Sequence, residues 1–140
     1  MMKHTLIRNT LVLCVAGLGL GSCKKEVTQR VDQAFSATYT LTPANWQSDG
    51  SGGFYTNIPV PEVDPVIVSS GGVLVYLSFD GGTTFEALPE VLANVAYGTY
   101  HSDKTVSIDL TSADGTGVVT SPPSKNLIAK LVVIDATPLD

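Results

Sequence analysis

Few side chains in this 140-residue chain could do covalent chemistry, and their spacing decides what that chemistry would be. A Ser/His/Asp triad needs a histidine converging with groups from separate elements. Beyond the N-terminal segment the chain has only His101, beside Ser102-Asp103-Lys104, a stretch that reads as the exposed turn between two strands. No G-x-S-x-G, no H-E-x-x-H and no glycine loop opening a helix is present. Two Cys and two His are too few for a metal site built on those ligands. Paired carboxylates remain: Glu62 with Asp64, or Glu86 with Glu90. A glycosidase sets two carboxyls about 5–9 Å apart across a cleft, and a small domain with short turns offers little cleft. Asp80-Gly81-Gly82 and Asp114-Gly115-Thr116 could offer oxygens to calcium, but neither has the D-x-D-x-D-G spacing of a dedicated loop. The expectation is therefore a chain with no catalytic residues, no metal and no cofactor.

Aromatic residues offer a different chemistry. Trp46, Phe54 and Tyr55 bracket the glycine-rich turn Ser48-Asp49-Gly50-Ser51-Gly52-Gly53. Rings beside such a loop could stack on sugars, as in carbohydrate-binding modules, so the three are candidate ligand-binding residues. The competing reading has Trp46 capping the core at the edge of the fold, and that is the reading we favour from sequence.

The remaining chemistry-bearing residue is Cys23. Lys3, His4 and Arg8 form a short basic stretch, followed from Thr10 to Leu20 by an apolar run of eleven residues. As a helix this run spans only about 16 Å against about 30 Å of hydrocarbon, which is the length of a signal h-region and not of a membrane span. Leu20-Gly21-Ser22-Cys23 follows and resembles the lipobox of bacterial lipoproteins. That resemblance implies cleavage before Cys23, its diacylation and a permanent lipid anchor. An ordinary secretory signal with an incidental Cys and a buried N-terminal helix are the alternatives. Against the helix, the run is apolar all round and leads straight into Lys24-Lys25-Glu26.

The resulting organisation is a signal peptide over 1–22, a polar tether over 23–35, a domain over 36–135 and a tail over 136–140. With residues 1–22 removed, 6 basic side chains face 13 acidic ones over 118 residues; from Val31 onward three lysines face twelve acids, a net of −9. An acidic domain on a basic tether disfavours nucleic acid as a partner and suits solubility at a cell surface. Cys14 lies in the h-region and Cys23 at the lipidation site, so the domain itself has no disulfide and must be held by its core.

Hydrophobic periodicity in the domain is that of strands. Ala37, Tyr39 and Leu41 alternate with Thr38 and Thr40; Phe54, Thr56, Ile58 and Val60 form a second such face. Val73–Phe79 reads as a strand buried on both faces at its start. Val95, Tyr97 and Thr99 follow, then Val106, Ile108 and Leu110. Leu127–Ile134 is apolar throughout except for Lys130 and should be central. Asp49-Gly50, Asp80-Gly81 and Asp114-Gly115 are turn dipeptides between these runs. Strands every 8–12 residues or so indicate an all-β fold, an antiparallel β-sandwich of about seven to eight strands. One exception is Asp64-Pro65…Gly71, whose cap, first-position proline and terminal glycine predict a short helical turn against a β-branched run that argues for strand.

Two resemblances add to this. Ser78-Phe79-Asp80-Gly81-Gly82-Thr83-Thr84-Phe85 resembles the Asp-box hairpin, S-x-D-x-G-x-T-[WF], of sialidase-type propellers. It implies a turn whose Asp and Thr bond the backbone while the aromatic packs inward, and no catalytic role. More broadly, Asn45-Trp46, Tyr55, Val60-Pro61, Gly72–Tyr76 and Ala87-Leu88-Pro89 resemble small lipoproteins of Bacteroidota and the end segments of collagen-like surface proteins. This implies a compact β domain on a lipid anchor. Together these readings predict a cell-envelope lipoprotein, outer-membrane by the absence of an Asp after Cys23, that acts as a structural or interaction module. The alternative is a surface lipoprotein binding a carbohydrate or peptide, its partner being an envelope protein or glycan.

Overall fold

The computed structural model describes residues 33–115 and 117–136 of the chain. Residues 1–22, read from sequence as a signal peptide, together with Cys23 and most of the expected tether, lie outside the described residues. Nine strands and one short helix follow in order: β1 Ala34–Leu41, β2 Gln47–Ser48, β3 Phe54–Pro59, α1 Pro65–Ser70, β4 Gly72–Ser78, β5 Glu86–Ala87, β6 Glu90–Leu92, β7 Val95–Ser102, β8 Thr105–Ser112 and β9 Leu127–Ile134. They form two antiparallel sheets, ordered β1-β9-β4-β5 and β2-β3-β8-β7-β6. This is the all-β sandwich that the alternation of apolar residues predicts.

The core lies between the sheets because strand side chains alternate. Ile58, Val106, Ile108 and Leu110 meet Val75, Leu77, Leu127, Ala129, Leu131 and Val133, all buried. β9 is central, between β1 and β4, as its apolar run predicts. Its burial nonetheless alternates, so only its odd-numbered residues reach the core. β4 departs from expectation. Val75 and Leu77 are buried, but Val73 is half-buried and Leu74 is 47% exposed, so the start of this strand is covered on neither face completely.

Local signals explain α1. The Asp64 carboxylate accepts from the N–H groups of Val66 and Ile67, both at 2.9 Å, Pro65 opens the first turn, and the Gly71 N–H closes on the Ile67 carbonyl. Two satisfied amides at the start outweigh the weak strand preference of Val66-Ile67-Val68. Three strands are missing from the sequence reading: β2, β5 and β6. β6 joins β7 through the two-residue turn Ala93-Asn94, with φ of 50° and 64°. Asn-Gly would have announced such a turn; Ala-Asn does so weakly. β1 begins at Ala34, so Ala34 and Phe35, read from sequence as tether, are strand residues.

Candidate functional site

The aromatic trio is placed by β2 and β3. A single 3₁₀ turn, Pro43–Asn45, is held by the Thr42 N–H donating to Asn45 Oδ1 at 2.7 Å and delivers Trp46 to the end of the core. Trp46 is 7% exposed, and its Nε1 is buried with no hydrogen-bond partner. Phe54 shares the inward face of β3 with Thr56 and Ile58 and packs, half-buried, against the core. Tyr55 lies on the opposite face, where its hydroxyl donates to Gln47 Oε1 at 3.1 Å. The three rings therefore share no face and form no common stacking platform, because adjacent positions on a strand point to opposite sides.

The Asp80 loop joins β4 to β5. Asp80 accepts from the N–H groups of Thr83 and Thr84, from the Thr84 hydroxyl at 2.7 Å and from the Ser78 hydroxyl at 2.7 Å, while Ser78 Oγ accepts from the Gly82 N–H. These donors hold the Asp80 carboxyl well below the usual carboxylate range, with the Thr84 N–H the largest cause. Gly81 and Gly82 sit at φ 77° and 97°, the left-handed region that the loop requires. Phe85 does not turn into the core as the hairpin resemblance implies. It lies on the outer face of its sheet, 4.3 Å from Lys130 Nζ to its ring centroid, with Tyr76 at 4.6 Å. The one charge in β9 is thus held between two rings, which explains the break in that strand's apolar run. Ser112 and Asp114 repeat the Ser78–Asp80 contact: the Ser112 hydroxyl donates to Asp114 Oδ1 at 2.6 Å, and the Gly117 N–H donates to the same oxygen. Asp49 accepts likewise from Ser51 and Gly53, which lowers its carboxyl. All three aspartates serve their own turns. Among the described residues no group of three or more metal-ligating side chains comes together.

Of the two carboxylate pairs considered, Glu62 is exposed and Asp64 caps α1, so they act separately. Glu86 and Glu90 do interact. β5 and β6 are edge strands of different sheets, and Leu88-Pro89 (a cis peptide) carries the chain across the edge of the sandwich between them. Glu90 pairs in register with buried Tyr97 and so points inward. Its Oε1 is buried without a partner, and burial, aided by the neighbouring Glu86 carboxyl, pushes it up to about 7. Burial, and then the charge of Glu90, raises Tyr97 in turn. Chemically the pair can hold one proton between two carboxyls. Neither glutamate lines the shallow depression of about 310 Å3 around Asn94 and Val119 or the groove of about 80 Å3 between Phe35 and Val60. His101 is half-buried on β7 opposite Val106, and Ser102 and Asp103 belong to the exposed β7–β8 hairpin.

Comparison with protein-family models, with curated proteins and with solved structures finds no match in any of the three. No helix among the described residues is long and apolar enough to cross a membrane.

Proposed function

We propose that this protein is a lipid-anchored module of the cell envelope, a β-sandwich held at a membrane through Cys23 and serving a structural or interaction role rather than catalysis. The observation that carries this reading is Leu20-Gly21-Ser22-Cys23 placed directly after an apolar run of signal-peptide length. One acyl chain holds a protein only marginally, at about 0.8 kcal/mol per buried methylene, whereas a diacylated Cys anchors it durably. The tether residues Lys24, Lys25 and Arg30 suit an anionic outer-membrane or other envelope surface. Glycan binding through Trp46, Phe54 and Tyr55 has less support, since Trp46 is buried and the rings face different ways.

The decisive experiment is Cys23→Ala with membrane fractionation and labelled-palmitate incorporation. The substituted chain should take up no label and either remain unprocessed or leave the membrane fraction. A processed Cys23→Ala protein that stays membrane-bound through a carbonate wash would end this reading.

A further inference from the structure

The two sheets have four edges, and three of them are short. β2 and β5 have two residues each and β6 has three, whereas β1 has eight. A long open edge is a row of unpaired N–H and C=O groups, which folded proteins normally blunt with charge, proline, a bulge or brevity. β1 (Ala-Phe-Ser-Ala-Thr-Tyr-Thr-Leu) has no charge and no proline, and its register with β9 runs unbroken from Ala34↔Ile134 to Leu41↔Leu127. Six of its eight residues are exposed. Phe35, on the inward face, is 46% exposed beside a groove of about 80 Å3 that it shares with Ala37, Val60 and Leu131.

We propose that β1 is a dimerisation edge, on which a second copy of this chain pairs its own β1 antiparallel and joins the two four-stranded sheets into one. The residue order of β1 identifies the occupant. Three lysines against twelve acids, with Glu62 lining the groove beside Phe35, make two copies repel over most of their surface, but β1 itself is uncharged and its order is self-complementary. A two-fold axis normal to the sheet and passing through Ala37 keeps inward residues inward. It sets Phe35 of one copy opposite Tyr39 of the other, twice, and Ser36 opposite Thr38, twice. Aromatic pairs thus lie on the inner face and hydroxyl pairs on the outer, both favourable across antiparallel strands. In that register the two β1 strands begin about 20 Å apart. A tether over 24–32 can extend about 30 Å, so both copies could reach one bilayer where the proposed Cys23 anchor holds. The strand pairing itself does not require the anchor.

The test uses the full chain with Cys14 and Cys23 replaced by Ser, so that its outcome is independent of lipidation. Ala37→Cys, which lies on the axis, should form crosslinked dimers with oxidant or a short bismaleimide. Ser102→Cys, on the β7–β8 hairpin, should give at least tenfold less. Ser36→Lys together with Thr38→Lys, two outward positions that face each other across the axis, sets lysines against lysines. In the Ala37→Cys chain this should reduce the dimer at least tenfold, with an unchanged melting curve showing that the fold persists. Monomer alone at Ala37→Cys, equal crosslinking at Ser102, or a dimer indifferent to the two lysines would each overturn the proposal.

Discussion

Trp46 and Glu90 hold the two buried side-chain polar atoms that have no hydrogen-bond partner among the described residues, and they pose the same problem with different solutions. Trp46 Nε1 is a neutral donor, so its desolvation weighs on the fold equally at every pH. Its large apolar ring, packed at the end of the core, offsets that cost. Glu90 Oε1 belongs to an acid, and an acid can escape the cost of a buried charge by taking up a proton. Asp80 completes the contrast: it is a carboxylate at the far end of the β4–β5 hairpin whose oxygens are met by donors from its own loop. Two carboxyls ten residues apart, one in the β4–β5 loop and one on β6, are thus driven in opposite directions, the first by donors from its own loop and the second by burial beside another carboxyl.

The largest effect should come from Trp46→Ala. Loss of a buried aromatic costs about 3–5 kcal/mol in denaturant unfolding, while Trp46→Phe keeps most of the packing and removes the orphaned N–H, so it should cost far less. The wild-type indole should emit at short wavelength and resist acrylamide. Ready quenching together with a stable Trp46→Ala protein would break the comparison at its first term.

Next comes the loop that supplies Asp80 with donors. Valine at both Gly81 and Gly82 forces β-branched residues into φ of 77° and 97°, and at Gly82 also meets Ile128 Cδ1 at 3.3 Å from the Cβ. The pair should cost about 1–3 kcal/mol. An unchanged melting temperature would show that the loop does not hold Asp80 in place.

Glu90 sharpens the comparison through pH. Its folded value of about 7 lies above the ordinary 4.5, so its contribution to stability is complete below about pH 4.5 and is lost as pH rises through 7. Asp80 has the opposite sign: its contribution is present above the ordinary 3.8 and is lost as pH falls. These two groups together place the stability maximum between roughly pH 4 and 5. Glu90→Gln should flatten the neutral limb, by on the order of 1 kcal/mol after solvent screening. Asp80→Asn should flatten the acid limb instead. A Glu90→Gln protein with the wild-type slope between pH 5 and 7.5 would sink the assignment.

The smallest effect concerns a charge stabilised by neither donors nor protonation. Lys130→Met keeps the stem of the side chain but removes the ammonium from between Tyr76 and Phe85, and should cost about 0.5–1 kcal/mol. A double-mutant cycle with Phe85→Leu should recover most of that figure as coupling energy.

What the sequence alone determined is what neighbouring residues settle between themselves. Asp64, Pro65 and Gly71 specify α1 because a cap, a fixed φ and a chain stop act within one turn. Asp80-Gly81 and Asp114-Gly115 mark loops because their glycines accept positive φ and their carboxylates bond amides three or four residues away. The alternation in β3 and β8 foretells a buried face, and the apolar run of β9 its central place. Tertiary structure decided the rest, because strand pairing is long-range and each pairing chooses what lies on either side of a residue. It put Tyr55 on the far face from Phe54 and turned Phe85 outward onto Lys130. It also brought Glu86 and Glu90 to one edge of the sandwich and left β1 as the longest edge strand among the described residues. No spacing in the chain could announce these, since each depends on which strand became the neighbour and which was left without one.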